Sequence, residues 1–158
     1  MARFTGIQSI FLALATTGCL TAGAVDFTGQ WQIDGSKSKP GPEPTASVQI
    51  AQQGDKITFT RQYKDRDGKA ATAHFTCAVG ANSCDYDENG HKSKVSLWYN
   101  GPELVILKTD GDKRDSTVEW HMKLSDDGKT LNINREVIEP SEEKEALVFN
   151  KSESVASR

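Results

Sequence analysis

From Val25 onward the chain is written in short segments that alternate polar and apolar residues, each closed by a cluster of Gly, Asn and Asp. The segments are FTGQWQI, ASVQIAQ, DKITFTRQY, ATAHFTC, KVSLWYN, ELVILKT, STVEWHMKL, TLNINREVI and KEALVFN; the reversals include QGD, DRDGK, DENG, NGP, DGD and DDGK. A period of two puts one face of each segment on a core and the other in water, which is the pattern of an antiparallel strand, and no window carries the longer period of a helix. Asn-Gly and Asp-Gly supply the positive backbone dihedrals that tight hairpins require. The sequence therefore predicts an all-β chain, a single antiparallel up-and-down meander of eight or nine strands. Such a meander protects its edges by closing into a barrel or, as the alternative, by stacking as a two-sheet β-sandwich; short sequential turns favour the barrel. The stretch Asp34 to Thr45 holds Pro40, Pro42 and Pro44, which forbid a ladder, so it reads as a loop across one end.

Ahead of the meander stands MARFTGIQSIFLALATTGCLTAGA, with Arg3 at its start, an apolar run over Ile10 to Ala15 and the small residues Ala22-Gly23-Ala24. That order is a secretory signal peptide, and the run is too short for a permanent membrane span. The expected organisation is a signal peptide over 1–24, one barrel domain over 25–151 and a disordered tail over 152–158. The protein is expected to be exported, periplasmic or extracellular. A minor alternative takes TTGC, Thr16 to Cys19, as a lipoprotein signal with Cys19 carrying the lipid anchor.

Export bears on the cysteines. Cys77 and Cys84 remain as a pair in an oxidising compartment, where a disulfide is expected. Closing so small a loop constrains the unfolded chain by about 2.5 kcal/mol in the entropic model. A lone C-x6-C offers only two of the four ligands of structural zinc. In DYDENG, Asp85, Asp87, Asn89 and Gly90 match the opening of a calcium loop, but the bidentate Glu of its last position falls on Ser96, so a plain hairpin is the better reading. His74, His91 and His121 occur singly, as solvent-facing strand histidines do. No G-x-S-x-G, H-E-x-x-H or Cys-His nucleophile pattern is present. A non-enzymatic monomer with no metal, cofactor or catalytic residue is the expectation. The net charge of −3, with no Lys/Arg cluster, argues against nucleic acid.

Alternation also sorts the side chains. Ile57, Phe59, Arg61 and Tyr63 share one face of their segment; Val118, Trp120 and Met122 share another; Leu131, Ile133, Arg135 and Val137 a third. Two arginines thus stand in registers that are otherwise apolar. Trp98 stands in the polar register of Lys94, Ser96 and Asn100, opposite to Val95, Leu97 and Tyr99. It is either an exposed anchor for a sugar or a protein partner, or packed under the Pro-rich loop.

FTGQW, the G-x-W of the first strand, followed by a long loop and a meander with a disulfide, resembles the lipocalin-like barrels of the calycin group. GQWQID, KSK, LSDDGKTLNI and the closing ALVFNKS resemble more closely a set of small secreted bacterial lipocalin-like proteins of unassigned activity. The resemblance implies that Trp31 plugs the closed end, that Gly29 lets the chain pass closely beneath it, and that Arg135 lies over the indole. It also implies a small apolar or amphipathic ligand inside the barrel, with Arg61 or Arg135 at an acidic head group and Phe59, Tyr63, Trp120 and Met122 along the walls. The alternative is a solid barrel, a protein-interaction or inhibitor module of the cell envelope with no small-molecule ligand.

Overall fold

The computed structural model describes residues 25–39, 45–64, 67–111, 116–139 and 142–152. The expected leader with Cys19, the three prolines of the Asp34 to Thr45 loop and the tail beyond Ser152 lie outside the described residues. The strands are β1 (Gly29–Ile33), β2 (Ala46–Gln53), β3 (Lys56–Lys64), β4 (Ala70–Ala78), β5 (Cys84–Glu88), β6 (His91–Asn100), β7 (Glu103–Asp110), β8 (Ser116–Leu124), β9 (Thr130–Glu139) and β10 (Glu143–Lys151). Each pairs antiparallel with its neighbours in the chain, and β1 pairs with β10 through Trp31 and Lys151, Gln32 and Asn150, and Ile33 and Phe149. The sheet is a closed barrel, so the sandwich alternative is set aside.

The strand count corrects the expectation of eight or nine: there are ten among the described residues. The overlooked strand is β5, CDYDE, whose Tyr86 is buried while Asp85 points to solvent. Its inner face offers too little apolar text to show a period, and its acids invited a calcium comparison. In the fold those acids belong to a ladder: Asp85 lies opposite Lys94 and Asp87 opposite Lys92, and each pair forms a salt bridge. Asn89 (φ 53°) and Gly90 (φ 84°) make the two-residue reversal to β6 with the paired positive dihedrals of a tight hairpin. The Cys77–Cys84 disulfide spans the turn between β4 and β5, with its Cα atoms 5.6 Å apart.

Because every connection is a reversal, the barrel has two distinct ends. The N-terminus and the turns after β2, β4, β6 and β8 gather at one end; the connections after β1, β3, β5, β7 and β9 gather at the other. At the first end Phe27 and Trp31 are buried, and the Trp31 indole donates to the Phe27 carbonyl oxygen at 3.2 Å. The Phe27 ring stacks on Tyr99, whose hydroxyl donates to the Val25 carbonyl at 3.1 Å and accepts from Gln52 at 3.2 Å. The cation over Trp31 is Lys151, its Nζ 5.2 Å from the ring centroid, which corrects the placement of Arg135 there. A Cβ on Gly29 would meet the Lys151 Cε at 2.8 Å, so glycine leaves room for that lysine. Above this plug the core is Ile50, Ile57, Phe59, Phe75, Leu97, Leu104, Ile106, Met122, Leu131 and Phe149, all at most 2 % exposed. Burying side chains of this size stabilises the fold by roughly 1.5–3 kcal/mol each.

Candidate functional site

Toward the second end the inner wall changes character. Arg61 on β3 pairs across the ladder with Val48 and Ala73, two buried residues, and is itself 6 % exposed. Its guanidinium carbon sits 4.3 Å from the Tyr63 ring centroid, a cation–π contact. Burial pushes the Arg61 pKa down, and Arg135 adds to this, while Tyr86, Tyr63 and Glu88 oppose it. Arg135 on β9 stands between Trp120 of β8 and Glu145 of β10 in the ladder, and its Nη1 lies 3.2 Å from the Glu145 carboxylate. Trp120 packs against Phe59 and Tyr86 at 5.7 and 6.1 Å between centroids. Its Nε1 is buried with no hydrogen-bond partner among the described residues.

These groups meet at one interior void. It is lined by Val48, Phe59, Arg61, Trp120, Ile133, Arg135, Leu147 and Phe149 and has a volume of about 10 Å³. A void of that size holds about one water. Its polar side-chain lining consists of two guanidinium groups and an indole N–H, which donate hydrogen bonds and accept none. That lining is chemically specific: it suits an acceptor, an anion above all, and not a cation or a second donor.

Beside the void lies a second polar group. The Tyr63 hydroxyl donates to the Glu88 carboxylate, and Lys108 Nζ donates to the same carboxylate at 2.8 Å. Lys108 also sits 4.8 Å from the Tyr86 ring centroid. Burial works to raise the Glu88 pKa, but the hydrogen bonds from Lys108 and Tyr63 and the charges of Lys108 and Arg61 outweigh it, and the net direction is down. Tyr86 moves up, first because it is buried and then because Glu88 faces it. The hydroxyl of buried Ser93, which pairs with Tyr86 across the ladder, has no hydrogen-bond partner among the described residues.

Of the residues that the sequence singled out, Phe59, Arg61, Trp120 and Arg135 line the void. Tyr63 touches Arg61 at its edge, and Met122, fully buried, belongs to the apolar core and does not line the void. Sequence reasoning missed Glu88, Lys108 and Glu145. A signal for each existed: Lys108 continues the inward register of Leu104 and Ile106, Glu88 that of Tyr86, and Glu145 that of Leu147 and Phe149. Reading charged residues as solvent-facing hid them. Trp98 is 38 % exposed on the outer wall, opposite Val105. The histidines are engaged with outer or rim partners: His74 with Thr60, His91 with Asp110, and His121 with Glu103 and Glu119.

No protein-family model and no curated protein matches the chain. Solved structures do resemble it in fold. Apo lipid binding protein 8 of Caenorhabditis elegans superposes with a TM-score of 0.59 at 10 % identity, covering 80 % of this chain and 95 % of that one. The zebrafish ileal bile acid-binding protein, complexed with cholic acid, superposes with a TM-score of 0.55 at 18 % identity over 80 % of this chain and 98 % of that one. A fatty acid-binding protein from Drosophila melanogaster brain gives 0.51 at 16 % identity, over 79 % and 99 % of the two chains.

Proposed function

We propose that this protein is an exported, non-enzymatic, monomeric carrier of small amphipathic anions, which takes an acidic head group at Arg61, Arg135 and the Trp120 indole. The observation that carries the reading is the donor-only void, where three side chains from β3, β8 and β9 converge with no acceptor among their side chains. Arg135 meets the Glu145 carboxylate and Arg61 stacks on Tyr63, and what favours an acidic ligand is that both guanidinium groups and an indole N–H turn toward one small void. The fold shared with the fatty acid, lipid and bile acid binders supports the same direction. The void holds about one water, whereas the pocket for a drug-sized ligand is ~300 Å³ or more, so a tail enters only as the inner wall repacks. The test is titration with a fluorescent fatty-acid probe: intensity rises with the wild type and the rise is lost in Arg61→Ala. Silence across lipids, bile acids and apolar dyes would remove the carrier reading.

The smallness of the void favours one second reading, a solid barrel that works through its outer wall. Trp98, the exposed aromatic opposite Val105, is then the contact, and retention of a cell-envelope protein lost in Trp98→Ala is its signature.

A further inference from the structure

Glu145 is the feature of this barrel that the carrier reading leaves unused. It sits on the inner wall in the register of Leu147 and Phe149, its side chain is only 9 % exposed, and its carboxylate is 3.2 Å from Arg135 Nη1. A carboxylate on a guanidinium at the edge of a donor-only void has the same chemistry as the head group that the void is suited to receive. We propose that Glu145 is a built-in competitor for the head-group site, holding Arg135 until an acidic ligand displaces it, and so setting which ligands the barrel accepts. This rests on the carrier reading and extends it to selectivity.

Ligand entry at this site is an exchange. An anion arriving at the void replaces one carboxylate on Arg135 by another and gains Arg61 and the orphaned Trp120 N–H as further donors. A neutral amphipath cannot make that exchange, because displacing Glu145 for a hydroxyl would leave a buried charge pair broken. Glu145 therefore lowers the affinity for every ligand but penalises neutral ones most, which is selectivity by a competing contact. The ladder favours such an exchange: β1 ends at Ile33, so β10 has ladder partners on that side only from Phe149 to Lys151. Beyond it, β10 exchanges hydrogen bonds with the segment after β1: Asp34 N to Val148 O at 2.7 Å, Val148 N to Ser38 Oγ at 3.0 Å and Lys39 N to Ala146 O at 2.9 Å. Among the described residues, Glu145 thus has its ladder partner, Arg135, on the β9 side alone.

The experiment compares the full mature chain with Glu145→Gln and Glu145→Ala, using a fluorescent fatty-acid probe and a neutral probe with the same tail. The inference predicts that both variants bind the acidic probe about tenfold or more tightly than the wild type, the range that one charge-assisted hydrogen bond gives. The ratio of acidic to neutral affinity shifts in the same step. Two substitutions of different size, with folding followed by far-ultraviolet circular dichroism, guard against a packing defect in one of them. Wild-type binding that is unchanged or weaker in both variants overturns the role of Glu145 and leaves the carrier reading standing. Binding by the variants alone removes the carrier reading for the native chain, because no acidic ligand then displaces Glu145 there, and this inference falls with it. No binding by any of the three removes the carrier reading, and this inference with it.

Discussion

The two ends of the barrel solve the same packing problem in opposite ways. The plugged end closes on Phe27 and Trp31 with a single indole hydrogen bond and Lys151 laid over the ring, and the Tyr99 hydroxyl there is tied to Val25 and Gln52. The other end places Arg61, Lys108, Arg135, Glu88 and Glu145 along the inner wall, with the buried Trp120 N–H and Ser93 hydroxyl left unpartnered among the described residues. A chain selected for stability alone has little reason to build the second end, because buried ion pairs are often no better than apolar side chains of similar volume. On the carrier reading proposed above, the difference places stability at one end and ligand chemistry at the other.

Substitutions break or sharpen that division. The largest effect is expected at the plug: Trp31→Ala removes a fully buried aromatic and should cost about 3–5 kcal/mol, read as a fall in the urea midpoint. A loss under 1 kcal/mol would mean that the plug is not where stability resides. The disulfide staples the same end; replacing Cys77 and Cys84 by serine, or reducing the bond, should lower stability by about 2.5 kcal/mol in the entropic model, measured by thermal melts with and without reductant. Arg61→Met tests the other end by a different readout. The barrel should stay folded while the acidic probe is lost, a separation of fold from function. Should Arg61→Met unfold the barrel, the guanidinium is a structural element and the division fails.

The smallest effect concerns Asp34, where the chain leaves β1. Hydrogen bonds from Ser36, Asn150 and Lys37 hold its carboxyl at about 2, below the ordinary 3.8. The folded value is the lower one, so the contribution is complete above 3.8 and is lost as pH falls toward about 2. Asp34→Asn should flatten the acid limb of the stability curve in that window, lowering stability slightly near neutrality and converging with the wild type as pH falls toward about 2. Exposure keeps this effect small.

Much of the barrel was legible because its information is local. Turn pairs such as Asn89-Gly90 and the alternation through Ile57, Phe59 and Arg61 fix strands, reversals and faces without knowledge of distant residues. The strand β5 escaped because CDYDE buries one side chain, Tyr86, deeply, and a period cannot be read from one residue. The site was half legible for a related reason. Arg61 and Arg135 announce themselves as charges in apolar registers, but Glu145 and Lys108 pair with residues from other strands, and such partners emerge only once the sheet closes. The lysine over Trp31 is the sharpest case: Lys151 sits on the last strand and reaches the indole only because β10 returns to β1.

The central claim is that an anion completes the donor-only void, and calorimetric titration with a fatty acid and the alcohol of the same chain length tests it most directly. The account predicts that the acid binds the wild type, that the alcohol binds at least about tenfold more weakly, and that Arg61→Met abolishes the difference. Equal affinity for acid and alcohol, or no heat from either, would contradict it.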